Sequence, residues 1–323
     1  MNGERIALLF PGQGSQAVGM GRDLAERFPA ARAVFEEADE ALGFALSRLM
    51  WEGPAEELTQ TANAQPALLA HSAAVWAVLR DADLDVVCAG GHSLGELSAY
   101  HAAGSMSFAD AIRTVRRRGE LMQEAGAARP GTMAAVLGLD DDVVEGVCRE
   151  ASTEDSVVVP ANFNTPGQLV VSGDVAAVER VAPMLVSAGA KKVQPLTVSG
   201  AFHSPLMQGA EAGLQAQLDA IGFGAPAFPV VSNVTAHPVT DADEARALLV
   251  DQLTSPVQWT KSVRTMLQMG AERFLEVGTG KVLVGMLKRI DPAAAGRGVA
   301  VGTAEAVEGL LAGSAQVQGS SVK

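Results

Sequence analysis

Short runs of hydrophobic residues alternate along the chain with longer stretches in which apolar positions recur every three or four residues. The first pattern is typical of buried strands and the second of amphipathic helices, so their alternation predicts a parallel α/β sheet. Strands are predicted at Arg5 to Phe10, Asp85 to Ala89, near Val230, and at Arg273 to Val277. Helices are predicted near Met20 to Phe28, Ala31 to Leu42, Pro66 to Arg80 with proline in its first turn, Leu94 to Ala103, from Ser107, near Glu244 to Leu253, at Trp259 to Met269 and at Val282 to Ile290.

The order of elements changes between about Arg129 and Val198. The pattern there predicts strand, helix, two strands, helix and strand, which is the βαββαβ order of a ferredoxin-like unit. The elements are Thr132 to Leu137, Asp141 to Glu150, Val157 to Asn162, Gln168 to Ser172, Val175 to Ser187 and Lys192 to Leu196. We therefore expect residues 1–128 and 199–312 to form one discontinuous α/β domain with residues 129–198 inserted in it. Residues 313–323 are rich in Gly, Ser and Gln and are expected to be a disordered tail.

Composition narrows the class of protein. The chain has 323 residues, of which 48% are hydrophobic and 19% charged, as expected for a sizeable buried core. A formal charge of −13 argues against a nucleic-acid partner. No apolar run approaches the ~18 residues of a membrane span, and the N-terminus lacks a secretory signal. The two cysteines have no disulfide or metal-ligand spacing, so we expect a cytoplasmic protein without a bound metal.

The segment Gly91-His-Ser-Leu-Gly95 lies between a predicted strand and a predicted helix. In this Gly-x-Ser-x-Gly context the serine occupies a sharp, strained turn, and the glycines remove side chains that would collide there. Ser93 is then exposed at a helix N-terminus, whose partial positive charge suits a developing oxyanion. The backbone N–H of Leu94, the residue after the nucleophile, is the natural oxyanion donor.

A nucleophilic serine needs a base, and the chain has five histidines. His92 adjoins Ser93 on a tight turn, where neighbouring side chains point apart. His203 lies in an irregular stretch after the last strand of the insertion and follows the serine in sequence, as the base does in nucleophile-elbow enzymes. His203 is the best candidate among the five.

The loop Gly12-Gln-Gly-Ser-Gln-Ala17 matches the dinucleotide-binding fingerprint. That site also needs a second strand ending in an acidic residue ~20 positions later, where this sequence reads as a helix. The alternative role of the loop is to direct the backbone N–H of Gln13 at the serine as a second oxyanion donor.

Three consecutive arginines follow Ser107 on a predicted helix. On the helical wheel Arg118 lies within ~60° of the centre of the apolar face, whereas Arg116 and Arg117 point away from it. A buried arginine is costly unless an acceptor or an anion meets it. A structural carboxylate and a substrate carboxylate are both consistent with this pattern.

Six motifs in order resemble the malonyl-CoA:acyl carrier protein transacylases of type II fatty-acid synthesis. They are Phe10-Pro-Gly-Gln-Gly-Ser-Gln16, Gly91-His-Ser-Leu-Gly-Glu96, Arg118-Gly119, Asn162-Phe-Asn-Thr-Pro-Gly-Gln168, Ala201-Phe-His-Ser204 and Pro256-Val-Gln-Trp259. The resemblance implies a hydrolase-like α/β domain with a ferredoxin-like insertion.

The resemblance also implies roles. Ser93 is the nucleophile, His203 its base, and the backbone carbonyl of Gln258 orients the histidine in place of a carboxylate. Gln13 and Leu94 donate the oxyanion N–H groups, and Arg118 binds the malonyl carboxylate.

The family contacts the pantetheine arm near the positions of Asn162, Gln168 and Lys192. Phe202 stands where a bulky ring favours malonyl over methylmalonyl. Gly200 departs from the His-Ala-Phe-His pattern of related malonyl-specific domains.

The function implied is transfer of malonyl from malonyl-CoA to acyl carrier protein through a malonyl-serine intermediate, without a cofactor. A trans-acting acyltransferase of a polyketide pathway, a serine thioesterase or hydrolase and a non-enzymatic scaffold are the alternatives. CoA and the carrier are acidic, so we expect some of the local cations to rim the cleft between the domains. These cations are Arg116, Arg117, Lys191, Lys192, Lys281, Lys288 and Arg289.

Overall fold

A computed structural model describes residues 3–318 and contains two sheets. The larger sheet has the strand order β10-β9-β1-β2-β7-β8, and every pair is parallel except the short β7-β8 pair. The smaller sheet has the order β4-β5-β3-β6 and is antiparallel throughout. The strands are β1 Arg5–Phe10, β2 Asp85–Gly91, β3 Gly131–Leu137, β4 Val158–Thr165, β5 Gln168–Asp174, β6 Lys192–Pro195, β7 Val230–Val231, β8 Pro238–Val239, β9 Arg273–Val277 and β10 Gly298–Val301.

Helices cover both faces of the larger sheet. They are α1 Arg22–Arg27, α2 Pro29–Leu42, α3 Leu46–Glu52, α4 Ala55–Thr59, α5 Thr61–Leu79, α6 Leu94–Ala102, α7 Phe108–Ala128, α8 Asp141–Ala151, α9 Val175–Ser187, α10 Glu211–Asp219, α11 Ala242–Asp251, α12 Trp259–Gln268, α13 Val282–Ile290 and α14 Ala304–Gln318. Two 3-10 turns, Pro205–Ala210 and Pro292–Ala294, complete the secondary structure of the described residues.

The central strand β1 shows why the larger sheet is buried on both sides. Ile6, Leu8 and Phe10 belong to one apolar cluster, while Ala7 and Leu9 belong to a second cluster on the opposite face. Because successive side chains of a strand point to opposite faces, a continuous apolar run fits a strand with helices on both sides.

The smaller sheet lies within residues 131–195 and is covered by α8 and α9, with an apolar cluster of its own. The observed order β3-α8-β4-β5-α9-β6 is the predicted ferredoxin-like order. Backbone hydrogen bonds join it to the larger part, because Phe163 N donates to the carbonyl of Val257 and Val257 N donates to that of Ala161. The fold class predicted from the sequence, an α/β parallel sheet with a βαββαβ unit, is therefore confirmed.

Some predicted elements differ from the observed ones. Helix α5 starts at Thr61, so Pro66 lies inside it rather than in its first turn. Proline leaves the carbonyl four residues earlier without its helical donor, and here Arg116 Nη1 donates to that carbonyl, on Ala62, over 3.0 Å. The prediction missed β10, which adds a parallel edge strand beside β9.

Helix α14 is assigned through Gln318, and residues 319–323 lie outside the described part of the chain. The disordered tail over residues 313–323 stays a prediction. Among residues 3–318, none of the helices combines the length and the hydropathy that a membrane span needs.

Candidate active site

Ser93 occupies the sharp turn between β2 and α6. Its backbone angles, φ 51° and ψ −109°, are unusual for a residue with a side chain. A Cβ at Gly91 would collide with the backbone of Gly95, and a Cβ at Gly95 would collide with the Phe10 carbonyl. Both glycines of the motif are therefore required by close backbone approach, as the sequence predicted.

His203 and Ser93 form a dyad. The serine Oγ lies 2.8 Å from His203 Nε2, and His203 Nδ1 lies 2.8 Å from the backbone carbonyl oxygen of Gln252. When Nδ1 carries the ring proton and donates it to this carbonyl, Nε2 is free to accept the serine proton. His203 also has a positive φ of 57°, in the loop after β6. The selection of His203 among five histidines fits this geometry.

The predicted role of Gln258 is wrong. Its carbonyl accepts hydrogen bonds from Ser262 N and Ser262 Oγ in the first turn of α12, whereas His203 Nδ1 bonds to the carbonyl of Gln252. The histidine is oriented by Gln252, the residue directly after α11. Any residue type supplies a backbone carbonyl, and the side chain of Gln252 carries no mark of that role in the sequence.

Burial, together with the charge of the nearby Arg118 guanidinium, lowers the pKa of His203 to about 3. The ring is therefore neutral near pH 7 and able to act as a base. His92 does not compete for the serine, because its Nε2 pairs with Asn164 Oδ1 at 2.9 Å.

Arg118 is fully buried on α7, as the helical wheel predicted. Its Nη1 donates to Gln65 Oε1 at 2.8 Å, and its Nη2 donates to Gln252 Oε1 at 2.7 Å and to Ser93 Oγ at 3.2 Å. Burial lowers the pKa of Arg118 to about 10, so the guanidinium stays charged at pH 7. All three acceptors are neutral, which leaves its charge available to an anion beside the serine.

Gln65 and Gln252 were not singled out from the sequence. Gln252 contacts three site residues, because its carbonyl accepts from His203, its Oε1 accepts from Arg118 and its Nε2 donates to Ser93 O at 3.1 Å. A glutamine at the end of a helix is common on protein surfaces. Only its complete burial, which the sequence does not display, marks it as part of the site.

A cleft of about 450 Å³ opens onto the dyad. Asn162 and Phe202 line it, as expected for substrate-contacting residues. Gln168 and Lys192 are not among its lining residues. Gln168 Oε1 accepts from Arg289 Nη1 at 2.8 Å, and Lys192 is exposed on β6. The lining residues are Gln13, Gly14, Gln16, Glu56, Thr59, Gln60, Thr61, His92, Ser93, Met133, Asn162, Leu196, Thr197, Val198, Ser199, Phe202 and His203.

The two expected oxyanion donors lie at the cleft. Gln13 lines the cleft, and its side-chain Nε2 donates to Thr61 Oγ1 over 3.4 Å. A Cβ at the preceding Gly12 would collide with the His92 carbonyl, so this loop lies close to the serine turn. Leu94 is the first residue of α6, where the backbone N–H has no helical acceptor. Donation of both N–H groups to an oxyanion stays a prediction.

The dinucleotide alternative for the Gly12 loop lacks its second strand. Between β1 and β2 the described chain forms helices only, and α2 occupies the position where the acidic strand end would be needed. The loop instead lies against the serine turn.

The cleft is not lined by any of the cations expected at its rim. Arg116 and Arg117 pair with Glu120, and Arg117 also pairs with Glu124. The side chain of Lys191 lies beside Gly138 on the smaller sheet. A role for these cations in docking stays a prediction.

Comparison with known proteins identifies the family. The profile of the acyl transferase domain matches residues 7–297. The malonyl CoA-acyl carrier protein transacylase of Escherichia coli K12 is 48% identical over 287 residues, which cover 88% of this chain and 93% of that protein. The enzyme of the same name from Bacillus subtilis is 46% identical, with 89% and 90% covered.

Solved structures agree with these relatives. An acyl carrier protein S-malonyltransferase from Vibrio cholerae has a TM-score of 0.91 and 44% identity over 95% of this chain and 99% of that one. A malonyl-transacylase in complex with a type II polyketide acyl carrier protein has a TM-score of 0.90 and 41% identity, with 96% and 99% covered. The chain therefore belongs to the malonyl CoA-acyl carrier protein transacylases, within the acyl transferase domain family.

Proposed function

We propose that this protein transfers the malonyl group of malonyl-CoA to the phosphopantetheine thiol of acyl carrier protein, which supplies extender units for fatty-acid synthesis. The observation that carries the substrate class is the buried Arg118 guanidinium, 3.2 Å from Ser93 Oγ and held only by neutral acceptors. An acyl group with a free carboxylate two carbons from the thioester carbonyl fits this arrangement, because arginine binds a carboxylate with two parallel hydrogen bonds.

The first half-reaction forms the acyl-enzyme. Ser93 Oγ attacks the thioester carbonyl while His203 Nε2 accepts its proton. The tetrahedral intermediate then collapses, the C–S bond breaks, and the CoA sulfur leaves as a thiol with the proton from His203. The backbone N–H groups of Gln13 and Leu94 stabilise the oxyanion, and one such donor is worth on the order of 3 kcal/mol.

The second half-reaction reverses the first with another thiol. His203 accepts the proton of the carrier's phosphopantetheine thiol, whose sulfur attacks malonyl-Ser93, and the serine oxygen leaves with that proton. The chemistry uses only side chains and backbone amides, so we propose that no cofactor takes part. Asn162 and Phe202 contact the acyl-pantetheine arm from the wall of the cleft. Gln168 and Lys192 contact the part of the arm that extends outside the cleft. We place the reaction in the cytoplasm, where CoA thioesters are made.

Intact-mass measurement tests this proposal. Mixing the protein with malonyl-CoA should add one malonyl group, Ser93→Ala should abolish the adduct, and phosphopantetheinylated carrier should discharge it to malonyl-carrier. If free malonate were released without carrier as fast as the carrier discharges the adduct, the protein would be a hydrolase instead. Comparing carriers from fatty-acid and polyketide synthesis as acceptors distinguishes the pathways, a comparison motivated by the polyketide carrier complex of one relative.

A further inference from the structure

Glu96 is a fully buried carboxylate next to the site that the proposed reaction does not use. It lies on the first turn of α6, and its Oε2 accepts hydrogen bonds from Gln252 Nε2 at 2.6 Å and from the backbone N–H of Asn233 at 3.1 Å. Its other oxygen, Oε1, is buried without a hydrogen-bond partner. Gln252 in turn binds Arg118, so the three side chains form the chain Glu96–Gln252–Arg118.

The orientation of the Gln252 amide follows from this chain. Its NH₂ end faces three oxygens, Glu96 Oε2, Ser93 O and Asn233 Oδ1. Its Oε1 faces the guanidinium of Arg118. A reversed amide would place oxygen against oxygen at one end and N–H groups against N–H groups at the other. Glu96 accepts the shortest of these hydrogen bonds, at 2.6 Å, and so helps to hold the amide with its oxygen toward Arg118.

The amide also keeps the negative charge of Glu96 away from the arginine. A carboxylate in direct contact with Arg118 would satisfy the guanidinium and compete with the carboxylate of a substrate. A neutral amide between them orients the guanidinium while leaving its charge unpaired by direct contact.

We propose that Glu96 is a positioning residue for acyl-group selectivity, acting through the Gln252 amide on Arg118. The inference rests on the proposed function, because selectivity is defined by the malonyl group. Glu96 touches neither Ser93 Oγ nor the cleft, so it is not a catalytic residue.

The essential property of Glu96 is an oxygen that accepts two hydrogen bonds. Glu96→Gln retains it, because the backbone N–H of Asn233 cannot reverse and therefore holds the new amide oxygen at the Oε2 position. Glu96→Met has a similar volume and no comparable acceptor. Gln252→Leu removes the middle of the chain but leaves the backbone carbonyl that orients His203.

Competition between malonyl-CoA and acetyl-CoA for acylation of Ser93 tests the proposal, read by intact mass and by the ratio of the two kcat/KM values. Glu96→Met and Gln252→Leu should each lower the malonyl preference by about tenfold or more, as for loss of a hydrogen bond to a charged group. Glu96→Gln should stay within about threefold of wild type, since an amide oxygen accepts as a carboxylate does. The double variant should lose no more preference than either single one, because both changes break the same chain.

Glu276→Gln is the matched control. Glu276 is also a fully buried carboxylate, but it caps helix α13 by accepting from Leu283 N and Val284 N. It should change thermal stability without changing the malonyl preference. A full malonyl preference in folded Glu96→Met or Gln252→Leu would overturn the inference, as would Glu96→Gln behaving like Glu96→Met. Absence of a malonyl adduct in wild type would instead overturn the proposed function.

Discussion

His203 Nδ1 lies 2.8 Å from the backbone carbonyl of Gln252, while Nε2 of the same ring lies 2.8 Å from Ser93 Oγ. The base is thus oriented by a main-chain atom, which carries no net charge. A carboxylate in that position would stabilise the imidazolium and raise its pKa. Here burial and the Arg118 guanidinium have the opposite effect, lowering the pKa of His203 to about 3.

This pKa predicts an unusual pH profile. The kcat/KM for acylation by malonyl-CoA should remain level below pH 6.5, the ordinary value for histidine, because the ring stays neutral there. Arg118→Met should move the acidic limb upward, since one of the causes that depress the pKa is removed. Stopped-flow or quenched-flow acylation measures the pH profiles of the wild type and of Arg118→Met. The range of about pH 4 to 8 covers the ordinary titration of histidine. A wild-type limb centred at 6.5 would contradict the prediction.

Arg118→Met should reduce the kcat/KM for malonyl-CoA by about two to three orders of magnitude, as when one member of a buried charged pair is removed. The kcat/KM for acetyl-CoA should fall much less, because the acetyl group has no carboxylate to pair with the guanidinium. Parallel kinetics with the two thioesters give the ratio. An unchanged ratio would show that Arg118 does not recognise the carboxylate.

The backbone conformation of Ser93 predicts that the serine needed for activity lowers the stability of the fold. Its φ of 51° is tolerated by glycine more readily than by serine or alanine. Ser93→Gly should therefore be more stable than Ser93→Ala by about 1 kcal/mol, while both are inactive. Thermal unfolding of the two variants makes the comparison, and a less stable glycine variant would contradict strain at the turn.

Gly95→Ala should destabilise the fold and prevent acylation. The added methyl would meet the backbone carbonyl of Phe10, which cannot move without distorting β1, and such overpacking costs roughly 1–3 kcal/mol. Gly222→Ala is the control, because nothing lies within 4 Å of a Cβ at that position. Urea unfolding and adduct formation measure the two effects. Equal behaviour of the two variants would exclude a steric role for Gly95.

Glu96 predicts a pH dependence of stability. Burial raises its pKa from 4.5 to about 7, against hydrogen bonds from Gln252 and Asn233 and the charge of Arg118. Between these pH values the folded chain keeps a proton that the unfolded chain releases, so this residue's contribution is complete below pH 4.5 and is lost as the pH rises through 7. Glu96→Gln does not titrate.

The difference in unfolding free energy, variant minus wild type, should therefore increase from pH 4.5 to pH 7 by on the order of 2 kcal/mol. Taking the difference cancels the contributions of buried histidines such as His203, which have the opposite sign. Denaturant titrations at several pH values measure it, and a difference independent of pH would show that Glu96 does not titrate in this range.

The sequence predicted the elements whose pattern is local. Val175–Ser187, Arg273–Val277 and Val282–Ile290 have the observed bounds, because periodicity and flanking turns define them. The sequence-based prediction was wrong where contacts between distant elements determine the bounds of a helix. Helix α5 accommodates Pro66 because Arg116 from another helix bonds the released carbonyl.

The site shows the same division. Ser93 and Arg118 follow from a motif and a helical wheel, both of which depend on near neighbours in sequence. Gln252 acts through its carbonyl and through burial, and neither is visible in its residue type. The family resemblance points to Gln258, whose carbonyl bonds to Ser262. Gln168 and Lys192 were carried over from family positions, which do not show which residues face the cleft.

The distance in sequence between the parts of the dyad affects when the protein becomes reactive during its synthesis. His203 follows Ser93 by 110 residues, and Gln252 follows His203 by 49. A growing chain on the ribosome that has folded only its first half carries the serine without its base. Even after the smaller sheet has emerged, the imidazole lacks the carbonyl that selects its tautomer. Chains that end before Gln252 therefore lack the complete arrangement of nucleophile, base and orienting carbonyl.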